Sequence, residues 1–248
     1  RERANKYELQ LVNDNCHALG ATYLDDKQYA VKYADLVIQS YHPVKHLTTG
    51  EGGAVLTNNS ELDEKIRRLR THGMTKDNSK FSIQHQSLNE PWYYEMRELG
   101  YNYRITDFQC ALGSNQLKKL DRFVQKRRKI SKRYDDSFSN IENIKIPELL
   151  SNVEPSYHLY PLQIDFKKLP FSKVELFERM KKAGINLQVH YIPIHLQPFY
   201  KKNYGFQQGD FPISERFYQN ELSLPIYPDL SDKNVSLVID SILEIIPT

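Results

Sequence analysis

Hydrophobic positions in the first quarter of the chain fall in short runs. Residues 9–13 are mainly apolar and run into Asp14-Asn15-Cys16-His17, and residues 34–39 end at Ser40. Residues 53–57 follow the glycine-rich turn Thr49-Gly50-Glu51-Gly52-Gly53. Short apolar runs with polar residues just past their ends suit strands of a mostly parallel sheet, where ligands sit outside the carboxyl edge. Helices are marked by their caps. Ser60-Glu61-Leu62-Asp63 has capping-box spacing, and Leu62, Ile66 and Leu69 share one face. Thr106-Asp107-Phe108-Gln109 repeats the signal, with Gly113, Leu117, Leu120 and Val124 continuing one face. That face leads into the basic run 126–133, expected on the exposed side of a long connecting helix.

The pattern changes after Pro147. Leu162, Ile164 and Phe166 alternate with Gln163 and Asp165, which predicts a strand with one buried face. Residues 172–183 form a capped helical pattern closed by Gly184. Ile185, Leu187, Val189 and Tyr191 alternate again, and residues 231–246 predict a terminal helix with Val235, Val238, Ile242 and Ile245 on one face. The chain is therefore expected to be α/β. It comprises a larger domain over residues 1–125 with a mostly parallel sheet and a small C-terminal α/β domain over residues 126–248.

Composition narrows the class. The chain has 248 residues, 40% hydrophobic and 26% charged, which excludes a disordered or collagenous protein. A net charge of +3 is too mild to point to nucleic acid. No apolar run approaches the roughly 18 residues of a membrane span. The two cysteines, Cys16 and Cys110, make neither a disulfide framework nor a four-ligand zinc site, which fits a reducing cytoplasm.

The chemistry concentrates in Ser40-Tyr41-His42-Pro43-Val44-Lys45, which follows a strand end. A lysine there is either a solvated surface cation or a Schiff-base nucleophile, whose amine must be partly neutral to attack a carbonyl. Asp14 is either a turn residue or an anion of the kind pyridoxal phosphate needs against its pyridine nitrogen. An opposite charge favours the protonated ring. Asp14 for the ring, Ser40 for the phosphate and Lys45 for the aldehyde form one coherent set.

Several stretches together carry a family resemblance. These are Asp14-x-x-His17-Ala18-Leu19-Gly20-Ala21, Ser40-x-His42-Pro43-Val44-Lys45, Glu51-Gly52-Gly53-Ala54-Val55, Arg70-Thr71-His72-Gly73 and residues 99–113. In collinear order over nearly the whole chain, they resemble the pyridoxal-phosphate-dependent sugar aminotransferases of the DegT/DnrJ/EryC1/StrS family. The resemblance implies the fold type I of pyridoxal-phosphate-dependent transferases. It implies that Lys45 holds the cofactor and shuttles protons, that Asp14 pairs with the pyridine nitrogen and that His17 lies near the phenolic oxygen. Ser40 would donate to the phosphate. Asn102 would reach the phosphate of a neighbouring subunit, so the active site needs a homodimer. Gln188, Val189, His190 and Tyr191 would border the nucleotide sugar, or form a plain alternating strand with Gln188 and His190 facing solvent.

The implied reaction moves an amino group from glutamate to C4 of a UDP-linked 4-keto-6-deoxy sugar of the pseudaminic acid type, with a GDP- or TDP-linked sugar as the alternative. Relatives that act as dehydratases carry His at the position of Lys45, which speaks against that activity. An intact Lys45, Asp14 and Ser40 speak against a non-catalytic chain. Relatives also carry a long segment before the Asp14 strand, so the sequence is expected to be the C-terminal two-thirds of such an enzyme. The segment between His72 and Leu99 is longer than in relatives and carries Trp92-Tyr93-Tyr94, which either stacks on a ligand or packs a loop. His42 and His46 are interrupted by Pro43 and lack an HExxH motif, so no metal site is expected.

Overall fold

The computed structural model describes residues 1–82 and 90–246. It divides into two compact units. One comprises Arg1–Leu19 and Asp26–Lys118, the other Gly20–Asp25 and Lys119–Thr248.

The first unit is built on a three-stranded sheet. Val12–Asp14 runs parallel to Leu36–Ser40, with Asp14 opposite Ile38. Leu36–Ser40 pairs antiparallel with Gly53–Leu56, with Ser40 opposite Gly53. The pairing is mixed because residues 41–52 return the chain as a tight connection, without the long crossover that a parallel neighbour requires. The first strand starts later than the 9–13 run. The Leu11 N–H is taken by the Asp35 carboxylate at 2.8 Å and Leu9 is exposed, so regular pairing begins at Val12 and includes Asp14.

Helix Ser60–Leu69 is capped by Asn59 and not by Ser60, since the Asn59 side-chain Oδ1 accepts the N–H groups of Glu61 and Leu62 at 2.9 and 3.1 Å. Helix Asp107–Leu117 has the expected capping box, with Thr106 and Gln109 each accepting the other's backbone N–H. Its apolar residues are not buried: Phe108, Leu112 and Leu117 are all exposed.

The expected continuous face from Gly113 to Val124 is broken. The helix stops at Leu117 and a new one runs Leu120–Phe138. The units divide at this break, ahead of the boundary expected near residue 125. Thr22–Tyr23 belongs with the second unit because it pairs with Val153–Glu154. The basic run is not wholly exposed either. Arg127 is buried and its guanidinium donates to the carbonyls of Tyr157, His158 and Ile226 at 3.0, 3.3 and 2.8 Å. Those acceptors lie far along the chain, so local patterning carries no sign of them.

The second unit packs helices Leu120–Phe138, Lys173–Lys182 and Asp232–Ile245 with an antiparallel sheet ordered Glu221–Ser223, Pro161–Ile164, Ile144–Lys145. Leu162 and Ile164 are fully buried while Pro161 and Gln163, which alternate with them, are not, as the period-two pattern predicts. Tyr134, Phe138, Tyr160, Leu176, Met180 and Ile242 complete the centre of its core. The Ser172 and Glu175 side chains cap Lys173–Lys182 reciprocally.

Residues 185–191 do not form the expected strand. A single bridge joins Gln188 to Ser223. The next ladder position is lost because the His190 N–H donates to the Glu221 carboxylate at 2.9 Å in place of a backbone carbonyl. Around Trp92-Tyr93-Tyr94, Tyr93 packs edge-on against Phe81 at 5.0 Å and its hydroxyl donates to Glu95, whereas Trp92 and Tyr94 are exposed. Part of the longer 73–98 segment, residues 83–89, lies outside the described residues.

Candidate active site

The parallel register brings Asp14 and Ser40 to the same carboxyl edge of the sheet, each as the last residue of its strand. The turn that follows Ser40 is held from within. The Lys45 N–H donates to the His42 carbonyl at 2.9 Å, and the Ser40 hydroxyl oxygen accepts the His42 N–H at 3.4 Å. The rest of the connection is closed by Tyr41 N–H to Gly52 O at 2.9 Å and Thr49 N–H to Tyr41 O at 3.0 Å. The Gln109 side chain ties the Glu51 carbonyl to the capped helix at 2.8 Å. A side chain at Gly53 would meet the Gln39 carbonyl at 2.6 Å, so the Gly-Gly of this stretch allows the two strands to approach.

Electrostatics ties the set together. The Asp14 carboxyl is held below its ordinary value, first by hydrogen bonds from Cys16 and then by the charges of His17 and Lys45. Its Oδ1 accepts the Cys16 N–H at 3.1 Å. Burial pushes the Cys16 thiol up to about 11, helped by Asp14, so the thiol stays neutral at ordinary pH. Burial likewise lowers the Lys45 amine, against the opposing charge of Asp14 at ordinary pH. A lowered lysine has more of the neutral, nucleophilic form at a given pH.

His17 is exposed and lies just past Asp14, close enough for its charge to act on that carboxylate. Asn102 is set by a separate feature. It bridges Thr71, while Tyr101 and Tyr103 beside it stack at 4.7 Å. Backbone bonds from Tyr101 N–H to Leu69 O and His72 N–H to Tyr101 O lock the two segments together at 2.7 and 2.8 Å. The contact is so close that a side chain at Gly100 would stand 2.1 Å from Gly73 N, which is why glycine occupies both motifs.

Gln188, Val189, His190 and Tyr191 belong to the second unit, with Gln188 and Tyr191 exposed and Val189 and His190 half-buried. Around them stand Glu221 and Ser223, which sequence reasoning did not single out. Their nearest signal is the Glu-Leu-Ser alternation on a strand whose residues are all buried. A cavity of about 830 Å³ on the first unit is lined by Ile38, Tyr41, Leu47, Arg70, Tyr103 and Gln109 among others. Neither Asp14, Ser40, Lys45 nor Asn102 lines it.

An anion, a hydroxyl and a lysine of lowered proton affinity at one sheet edge fit the chemical demands of pyridoxal phosphate: a partner for its ring nitrogen, a donor for its phosphate and an amine for its aldehyde. The chain belongs to the DegT/DnrJ/EryC1/StrS aminotransferase family, whose model matches residues 1–243. Its fold is the fold type I of pyridoxal-phosphate-dependent transferases.

Among relatives, it is 41% identical over 241 residues to the UDP-4-amino-4,6-dideoxy-N-acetyl-beta-L-altrosamine transaminase of Campylobacter jejuni, covering 97% of this chain and 60% of that one. Among solved structures, it is similar to Helicobacter pylori PseC, an aminotransferase involved in the biosynthesis of pseudoaminic acid. The TM-score is 0.85 at 33% identity, over 98% of this chain and 61% of that one. The PLP-form of the putative sugar aminotransferase Spr1654 from Streptococcus pneumoniae matches with a TM-score of 0.82 at 29% identity, over 99% of this chain and 60% of that one. The chain thus spans about three-fifths of the length of these relatives.

Proposed function

We propose that the chain carries the cofactor lysine of a pyridoxal-phosphate-dependent aminotransferase. The enzyme would transfer an amino group from glutamate to C4 of a UDP-linked 4-keto-6-deoxy sugar, as in the pseudaminic acid pathway. The observation that carries this reading is the meeting of Asp14, Ser40 and a half-buried, lowered Lys45 at one strand edge. The likeness to the Campylobacter transaminase and to PseC supports the UDP-linked sugar.

Pyridoxal phosphate, when bound, supplies an aldehyde and an electron-withdrawing ring. The chain's residues supply the rest. Lys45, whose amine burial lowers, would hold the cofactor through its Nζ and would take and return protons there. Asp14, ionised down to low pH by its Cys16 hydrogen bonds, keeps the ring nitrogen protonated. The Ser40 oxygen accepts the His42 N–H, which leaves the hydroxyl proton to donate to the phosphate. His17 would face the phenolic oxygen of the cofactor. Asn102 serves the cofactor phosphate of a second copy, which makes the enzyme a homodimer. Gln188, Val189, His190 and Tyr191 border the nucleotide sugar, and the enzyme works in the cytoplasm without nucleic acid or membrane.

Incubating the full-length protein with pyridoxal phosphate, glutamate and UDP-, GDP- or TDP-linked 4-ketosugars tests the reading. It predicts an aminated product by mass with the UDP-linked sugar and little with the others. Amination of only a GDP- or TDP-linked sugar would overturn the nucleotide assignment, and amination of none would overturn the reaction.

A further inference from the structure

The groups around His190 all belong to the second unit. Glu221 is fully buried, at 0% exposure, and a buried carboxylate needs hydrogen-bond partners. It has them. One oxygen accepts the His190 backbone N–H at 2.9 Å and the other accepts the Ser223 hydroxyl at 2.6 Å. The Ser223 oxygen in turn lies 2.7 Å from His190 Nδ1. The Lys173 ammonium, itself half-buried, supplies a countercharge to Glu221.

With Glu221 as a carboxylate, proton counting sets the direction of this chain. A serine hydroxyl has one hydrogen. With that hydrogen on the Glu221 carboxylate, the Ser223 oxygen can only accept from the ring, so Nδ1 carries a hydrogen and the lone pair of neutral His190 sits on Nε2. A carboxylate placed behind a histidine commonly orients it through such a contact.

We propose that Glu221 and Ser223 are positioning residues that lock His190 in the Nδ1-protonated tautomer, so that Nε2 accepts a hydrogen bond from a hydroxyl or amide N–H of the nucleotide sugar. This rests on the reading that residues 188–191 border that substrate. Glu221→Gln is expected to reverse the relay. The glutamine oxygen keeps the His190 N–H, its NH2 group donates to Ser223, and the serine hydrogen turns to Nδ1. The ring hydrogen then resides on Nε2, which can no longer accept. Ser223→Ala removes the relay and leaves the tautomer unspecified.

The test uses the pyridoxal-phosphate-loaded protein with 15N-labelled histidine, whose long-range proton–nitrogen spectra separate protonated from bare ring nitrogens. The proposal predicts Nδ1–H in the wild type, Nε2–H in Glu221→Gln and a mixture in Ser223→Ala. It also predicts that KM for the UDP-linked 4-keto-6-deoxy sugar rises about tenfold in Glu221→Gln, the value of one well-made hydrogen bond, and by a smaller factor in Ser223→Ala, where part of the population keeps the accepting tautomer, while kcat and the glutamate KM stay put. An Nε2–H wild type, or a Glu221→Gln protein with the wild-type tautomer, overturns the relay. A tautomer that switches without moving the sugar KM overturns its role in recognition. His190→Ala isolates the underlying reading: an unchanged sugar KM there shows that the segment does not border the substrate, and the recognition role falls with it even if the spectra follow the relay.

Discussion

Asp14 and Lys45 stand within electrostatic reach of each other at the carboxyl edge of one sheet, brought there by a strand end and the turn after the neighbouring strand. Burial lowers the lysine, and Asp14 opposes that effect at ordinary pH. The carboxylate is held low chiefly by Cys16 and further by His17 and Lys45. The Asp14–Lys45 pair thereby adjusts both the availability of the amine and the charge presented to a bound ring, on top of burial and the Cys16 hydrogen bonds.

Asp14→Asn removes one of the charges that hold the Lys45 proton on. Labelling of Lys45 by an amine-reactive reagent, followed across pH by peptide mass, should shift to lower pH in the variant. Loaded with cofactor, the variant should still bind it but turn over on the order of a hundredfold more slowly, about 2.7 kcal/mol of barrier. Unchanged turnover would remove Asp14 from the role assigned to it.

Gly73→Ala should disrupt the pairing that seats Asn102. A side chain there would stand 1.8 Å from the Glu98 carbonyl, on a residue whose φ is +68°. The expected cost is on the order of 2–4 kcal/mol, combining steric overlap with positive-φ strain. Urea denaturation should show a lower midpoint with the slope retained. A wild-type midpoint would contradict the close pairing of residues 69–73 with 99–103.

Arg127→Ala should destabilise the second unit by about 3 kcal/mol, because it leaves the carbonyls of Tyr157, His158 and Ile226 without their shared charged donor. Burial lowers the guanidinium only to about 10, so the side chain remains cationic through neutral pH. The loss should therefore be constant between about pH 6 and 8. A variant as stable as the wild type would show that the basic run is solvated, as its pattern alone implies.

The buried His195–Glu215 pair, 2.9 Å apart, makes an acid-side prediction. Its hydrogen bond to His195, aided by the Gly209 N–H, lowers the Glu215 carboxyl in the folded state. A lowered carboxyl contributes stability above its unfolded value, near 4.3, and loses it as pH falls through the lower folded value. The Tm gap between wild type and Glu215→Gln should be fully developed above about pH 5 and narrow below about pH 4. A gap that grows on acidification would contradict the pairing.

Features that depend on neighbours in sequence were legible before the structure. The Thr106–Gln109 and Ser172–Glu175 caps are completed within three residues, and Leu162 and Ile164 obey the simple alternation of a half-buried strand. The positions of Asp14 and Ser40 at strand ends follow from local runs in the same way, and Lys45 falls in the turn after Ser40. Features set by distant partners were not. Asn59 displaced Ser60 as a cap by one residue, a choice between adjacent good cappers that spacing cannot make. Arg127 looked solvated because its carbonyl partners come from other segments. The 185–191 alternation looked like a strand because nothing local reveals that Glu221 intercepts the His190 N–H. The roles of Asn102 and Gln188–Tyr191 came from family likeness alone.

The most direct test of the account is the absorption spectrum of the protein titrated with pyridoxal phosphate, compared with that of Lys45→Ala. The wild type should develop the band of a lysine–cofactor Schiff base that borohydride fixes on the peptide containing Lys45, and the variant should show neither the band nor amino-group exchange between glutamate and a ketosugar. Exchange that persists in Lys45→Ala, or a borohydride adduct on another lysine, would contradict the claim that Lys45 is the residue around which this site is built.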